Sequence, residues 1–234
     1  MQVVESAVIA AAGMGTRLGL GMPKAMIEVG GKTILARLVD SLRRHVKVIH
    51  VVVGYREEMI VDYCHKYFPD VVLVRNPDFR TTNTAHSLYL GARHLRGKII
   101  YLDGDLILEP LSLEQFLAAA ADVPLLVGVT EAKSENAVFA EVGDSVESPV
   151  VARFSREVRS RFEWANVFCG DRDIMRDAPG YVFERLAQHL PLHGCMLRLA
   201  EVDTSADLLA ATQFLAELQS AAAPAAVAVL DRRF

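Results

Sequence analysis

Short apolar runs alternate with longer segments of helical period through the first half of the chain. A first strand is predicted over Val8–Ala11, and Ala25–Val29 is expected to be extended before Gly30-Gly31-Lys32 turns the chain. Behind Thr33, a helix-capping residue, Ile34, Leu35, Leu38, Val39 and Leu42 recur at three- and four-residue steps and predict a helix. Val48–Val53 is rich in β-branched residues, as expected of a parallel strand buried on both faces. A helix over Glu57–Phe68, a strand over Val71–Val74, a helix from Asn83 or Thr84 through Leu95 and a strand over Lys98–Leu102 continue the alternation. This order predicts an α/β protein with a doubly wound, mostly parallel sheet that receives ligands at the carboxyl ends of its strands.

The second half is more mixed. Leu113–Ala121 reads as a helix and Pro124–Val129 as a strand. Phe139–Val142, Val150–Phe154 and Trp164–Cys169 predict short strands forming a small antiparallel extension. Asp173–Leu190 is expected to be helical with a break at Pro179-Gly180, followed by a strand over Met196–Val202 and an amphipathic helix over Ala206–Leu218. The pattern has no internal repeat and no linker, so residues 1–218 are expected to form one domain, with 219–234 an alanine-rich tail that is mobile or docks on a partner.

Bulk properties narrow the function classes. The 234 residues can bury a sizeable core, and a net charge of −4 offers neither nucleic acid nor an anionic membrane a surface. No apolar run is long enough to span a bilayer, and the N-terminus lacks a basic segment and an apolar signal core. Cys64, Cys169 and Cys195 are odd in number and far apart, which fits reduced thiols better than disulfides or zinc. A soluble cytoplasmic protein is expected, and a homodimer is one assembly open to it.

The stretch Ala10-Ala11-Ala12-Gly13-Met14-Gly15-Thr16-Arg17-Leu18, closed by Pro23-Lys24, follows the first strand. Two glycines one residue apart let the backbone turn and bring N–H groups to an anion. Thr16 adds a hydroxyl, and Arg17 and Lys24 add two cations, a combination suited to polyphosphate. It is not a P-loop, which needs four residues between its glycines and then Gly-Lys-Ser/Thr. Nor is it a dinucleotide fingerprint: the next strand ends Val53-Gly54-Tyr55-Arg56 with no acid in place, and Pro23 interrupts any helix from Gly15.

Asp103 and Asp105 lie two apart just past a strand, so both can face one site, and Asp203 follows another strand. Carboxylates beside a polyphosphate loop suit magnesium, although Asp-Gly-Asp also suits a plain turn. The polar segment Asn76–Leu88 opens a helix, where backbone donors with Asn83 and Ser87 either read a base edge or hold an anion, or Asn83 simply caps the helix. His86 reads as a structural histidine rather than a general base, Trp164 as core or pocket wall, and no Ser-His-Asp or Cys-His pattern stands out.

On these residues the chain resembles the nucleotidyltransferases of the nucleotide-diphosphosugar transferase fold. Gly13, Gly15, Thr16, Arg17, Leu18, Pro23 and Lys24 match that family's signature loop, and Asp105 its metal aspartate. Glu201-Val202-Asp203-Thr204-Ser205-Ala206-Asp207-Leu208 is similar to its late Ile-Asp-Thr-x-x-Asp-Leu segment, which makes Asp203 the second metal ligand. Asn76, Asn83 and Ser87-Leu88 resemble the bacterial choline-phosphate cytidylyltransferases and their relatives acting on small phosphates or phosphonates, with Thr84 replacing a second asparagine. Ser134-Glu135-Asn136-Ala137-Val138, where the pocket tryptophan is expected, contains no aromatic; Trp164 is a substitute.

The resemblance implies transfer of a nucleoside monophosphate, CMP from CTP, to a small phosphorylated alcohol or phosphonate, releasing pyrophosphate. Arg17 and Lys24 would be catalytic, with Ala11, Ala12, Gly13, Gly15, Thr16, Asn83 and Ser87 binding the nucleotide. Asp105 and Asp203 would hold Mg2+. The alternatives are a sugar-1-phosphate nucleotidyltransferase using UTP, dTTP or GTP, and a non-catalytic nucleotide-binding regulator of the same fold.

Overall fold

The computed structural model describes residues 3–15, 18–133, 137–143, 149–176 and 180–230, with the backbone alone beyond 221. Its first half comprises β1 (Val4–Ala11), the ribbon β2 (Glu28–Val29) and β3 (Lys32–Thr33), α1 (Ile34–Leu42), β4 (Val48–Val53), α2 (Glu57–Tyr67), β5 (Val72–Arg75), α3 (Thr84–Ala92), β6 (Lys98–Asp103) and β7 (Leu106–Leu108). The second half adds α4 (Pro110–Ala120), β8 (Leu126–Glu131), β9 (Phe139–Val142), β10 (Val150–Ser155), β11 (Phe162–Gly170), α5 (Val182–Leu186), β12 (Leu192–Met196), β13 (Leu199–Glu201) and α6 (Ser205–Leu230).

One nine-stranded sheet runs in the order β5-β4-β1-β6-β11-β8-β12-β10-β9. Strands β5, β4, β1 and β6 are mutually parallel, the doubly wound half that the β-α alternation predicts. Past β6 the pairing turns antiparallel through β11, returns to parallel between β8 and β12, and ends antiparallel at β10 and β9. The antiparallel extension is therefore a continuation of the same sheet.

Strand β1 explains why its sequence is apolar on both sides. Val8 and Ile9 are both fully buried but belong to different clusters. Ile9 joins Leu38, Phe116 and Phe214 under α1, α4 and α6, while Val8 joins Leu88, Phe168 and Leu186 under α3 and α5. Each such large side chain removed from water stabilises the fold by roughly 1.5–3 kcal/mol. Across the junction between the halves, Tyr101 on β6 stacks on Phe168 of β11 with ring centroids 4.4 Å apart, and its hydroxyl donates to the Asp171 carbonyl. Thr33 caps α1 by accepting from the Ala36 N–H, and Asn83 caps α3 by accepting from the His86 N–H.

Several elements differ from the sequence pattern. Lys24–Met26 forms a 3-10 turn rather than an extended segment, because Pro23 fixes φ at −59° and its carbonyl accepts from the Met26 N–H. Among the described residues of the stretch predicted over Asp173–Leu190, helix is confined to α5 and a following 3-10 turn over Ala187–His189. The strand predicted over Met196–Val202 is divided between β12 and β13, which pair with different partners. The last helix continues past Leu218 to Leu230. Among the described residues, no helix is long and apolar enough to cross a membrane.

Candidate active site

The carboxyl ends of β1 and β6 open into a cleft of about 1440 Å³. Ala11, Ala12, Gly13, Gly15, Lys24, Asn83, Ser87, Asp105 and Asp203 all line it, so the sequence-predicted positions described by the structure share one space. Thr16 and Arg17 lie outside the described residues, as do Ser134, Glu135 and Asn136.

Lys24 is fixed by the glycine turn. Gly15 has φ of +56°, a left-handed conformation, and a Cβ there would stand 2.9 Å from Lys24 Cγ. Glycine is thus required both by the backbone and by the lysine stem packed on it. From this base the ammonium reaches across the cleft, donating to Asp105 Oδ2 at 2.7 Å and to Asp203 Oδ1.

Two local devices carry those carboxylates. Gly104 lets β6 close on β1: its N–H donates to the Ala10 carbonyl at 2.9 Å, and a Cβ would come within 2.8 Å of that oxygen. The chain turns there, and Asp105 follows. Opposite it, β13 pairs with β7, with Glu201 facing Leu106, and the Val202 N–H donates to the Asp105 carbonyl. Asp207, in the first turn of α6, accepts from the Asp203 and Thr204 N–H groups and from the Thr204 hydroxyl. That knot of hydrogen bonds is the structural content of the Asp-Thr-x-x-Asp segment, and it sets the position of Asp203.

The result is a three-carboxylate group, Asp105, Glu201 and Asp203, whose candidate ligand oxygens lie within 4.8 Å of one another. Glu201 was not among the residues expected from sequence, although it stands two residues before Asp203, the spacing that puts extended side chains on one side. Asp103 also lines the cleft but is not part of the group. The donor set is all oxygen, and Asp105 Oδ1 is buried with no hydrogen-bond partner, leaving an open lone pair within the cluster. These residues fit a hard divalent cation such as magnesium.

The electrostatics agree with crowded negative charge. Burial alone would lower the Lys24 ammonium, but the charge and hydrogen bond of Asp105, with Asp203, outweigh it and raise it above the ordinary lysine range. Burial first, then Asp105 and Asp203, push the Glu201 carboxyl up to about 8, although part of Glu201 remains open to the cleft. Asp103 is raised in the same direction, by burial and then by Asp105.

On the other wall, Asn76 is buried and organises the turn before α3. Its amide donates to the Thr82 and Ser87 hydroxyls and its Oδ1 accepts from the Asp78 N–H. Asn83 uses its oxygen as the helix cap and its Nδ2 to donate to the Gly180 carbonyl. The sequence alternatives for Asn83 are therefore not exclusive: it caps the helix and it lines the cleft. His86 lies on α3, outside the residues that line the cleft.

The site thus holds a cation between acidic side chains beside a glycine turn, at the carboxyl edge of a doubly wound sheet. Residues 7–192 match the MobA-like NTP transferase domain, and the chain belongs to that family. It is 31% identical over 159 residues to the bifunctional protein GlmU of Methanococcus vannielii, 64% of this chain and 37% of that protein. It is 34% identical over 119 residues to the CMP-5'-(3-aminopropyl)phosphonate synthase of Streptomyces rubellomurinus, 48% of this chain and 19% of that one. The chain thus spans well under half the length of these relatives. The CTP:phosphocholine cytidylyltransferase of Streptococcus pneumoniae shares the fold, with a TM-score of 0.72 at 21% identity over 92% of this chain and all of that one.

Proposed function

We propose that the protein transfers CMP from CTP to a small phosphorylated alcohol or phosphonate, releasing pyrophosphate. The observation that carries this reading is Lys24, seated on Gly15 and reaching Asp105 and Asp203 within one cleft. CTP as donor is supported by the CMP in the name of the phosphonate synthase and the CTP in that of the phosphocholine enzyme.

In the proposed reaction an anionic oxygen of the acceptor attacks the α-phosphorus. The bond from that phosphorus to the bridging oxygen of the β-phosphate breaks, and the electron pair leaves with pyrophosphate. The nucleophile is already deprotonated, so the reaction needs no general base, in keeping with a site that is rich in acids and has one strongly held ammonium. The protein's contribution is alignment and charge neutralisation.

Backbone N–H groups around Gly13 and Gly15, with Thr16 and Arg17, hold the β- and γ-phosphates in this reading. Lys24 exchanges its carboxylate partners for the α-phosphate and stabilises the charge that develops there. Asp105 and Asp203, joined by Glu201, are the residues that would hold Mg2+, which supplies Lewis-acid neutralisation of the triphosphate. Asn83 and Ser87 face the base in this assignment. The Ser87 hydroxyl accepts from Asn76, which leaves its proton to donate.

Pyrophosphate release should be measured with CTP, UTP, dTTP and GTP in turn, against phosphorylated alcohols, alkylphosphonates and sugar 1-phosphates, with magnesium present. CTP with a small phosphate or phosphonate should give the highest kcat/KM. Preference for a sugar 1-phosphate with UTP, dTTP or GTP would replace this reading.

A further inference from the structure

Beyond the carboxylates, the cleft has a second polar feature that the transfer chemistry does not use. Strand order sets it apart: β11 lies on the side of β6 away from the glycine turn, so Trp164 stands across the acids from the nucleotide loop. Trp164 is 8% exposed, and its indole Nε1–H is buried with no hydrogen-bond partner. A buried donor left unpaired costs about 1–3 kcal/mol, which a ligand acceptor would recover.

Arg156, which follows β10, lines the same cleft. Its guanidinium lies 4.3 Å from the Tyr181 ring centroid and 5.0 Å from that of Phe183, rings inclined by only 18°. Phe183 packs on the apolar cluster that contains Trp164 and Val182, so the arginine's platform is anchored to the core. Nearby arginines are neutralised: Arg153 pairs with Glu141 and Arg161 with Glu131. Among the described residues Arg156 has no ion-pair partner. Stacking covers a face of the guanidinium and leaves the edge N–H groups, which match a carboxylate or phosphate.

We infer that Arg156, on its Tyr181–Phe183 platform and with the Trp164 indole N–H, recognises a second anionic group on the acceptor, remote from the oxygen that attacks. Resting on the proposed transfer reaction, this narrows the acceptor to a small phosphate or phosphonate bearing a terminal carboxylate. The guanidinium edge of Arg156 and the Trp164 indole N–H are both donors. Glu163, next to Trp164 on β11, also lines the cleft, and its Oε2 accepts from the Lys133 N–H. An acceptor ending in an ammonium would place it against the unpaired Arg156 guanidinium, whereas a carboxylate would pair with it.

Trp164 is the single tryptophan of the chain, so its fluorescence reads the subsite without turnover. Wild type, Arg156→Gln and Arg156→Lys should be titrated with 3-phosphonopropionate, 3-aminopropylphosphonate and propylphosphonate. These ligands share a three-carbon chain and differ at the far end. We expect 3-phosphonopropionate to bind at least tenfold more tightly than the other two. Arg156→Gln should remove that preference, and Arg156→Lys should restore only part of it, because lysine lacks the planar fork. Equal affinities, preference for the amine, no fluorescence response, or an unchanged preference in Arg156→Gln each overturns the inference. Pyrophosphate release from the same mixtures is scored separately. Selective binding without transfer would refute the reaction and leave the anion subsite standing.

Discussion

At the scale of single residues, the ammonium of Lys24 decides how the site is charged. In the proposed mechanism it meets the α-phosphate most strongly as the bond breaks. Lys24→Ala should lower kcat more than it raises the KM for CTP, by about 2.7–4 kcal/mol in transition-state stabilisation. Steady-state kinetics separate the two parameters, and a change in KM alone would make Lys24 a ground-state binder. Asp105→Ala and Asp203→Ala should each abolish magnesium-dependent turnover while far-UV circular dichroism stays close to wild type. Glu201 adds a pH dependence. Its carboxyl, pushed up to about 8 by burial and neighbouring acids, favours the protonated form in the folded protein. Its contribution to stability is therefore fully present below its ordinary value and is lost as pH rises through about 8. Metal binding requires the opposite, deprotonated form, so magnesium affinity should rise with pH and level off near 8, by at most tenfold per unit. Calorimetric titration from pH 6 to 9 checks this, and Glu201→Gln should flatten the slope.

Elements explain what sequence could and could not reveal. The glycine turn with the Lys24 stem packed on it and the Thr33 and Asn83 caps were legible because each is a local event: a turn that needs glycine, a side chain that closes on its own helix. Glu201 was not picked out, because its meeting with Asp105 depends on the β7–β13 ribbon, a pairing between segments 90 or so residues apart that no local pattern announces. The expectation that Asp103 and Asp105 could face one site rested on strand alternation. Both do line the cleft, but the chain turns at Gly104 and only Asp105 joins the carboxylate group. Helix α3 offers a test of the Asn83 assignment. Asn83→Ala removes a cap and should cost about 1 kcal/mol of stability in denaturant melts. If the residue also faces the base, the ratio of kcat/KM for CTP over UTP should fall as well. An unchanged ratio would leave Asn83 a cap alone.

For the whole molecule, the alternating first half was readable because parallel strands buried on both faces must be apolar throughout. The order of strands in the second half was not, since β8, β11 and β12 carry similar apolar patterns and only the complete sheet distinguishes their neighbours. What the complete sheet produces is a single cleft lined together by the start of α3, the entrance of α5, Lys24 and the acids. Donor and acceptor in the proposed reaction thus occupy one continuous wall, and neither has a compartment of its own.

At one side of that cleft the Asn83–Gly180 hydrogen bond ties the start of α3 to the entrance of α5, joining residues 97 positions apart. A base that claims the Asn83 amide takes it from Gly180, the residue just before the Tyr181 on which Arg156 rests. The two ligands then share one bond as a common variable, and thermodynamic linkage makes their influence mutual: whatever factor CTP applies to the acceptor's dissociation constant, the acceptor applies to that of CTP. Titrating each ligand in the presence and absence of the other should return the same factor, and Asn83→Ala should bring it to one.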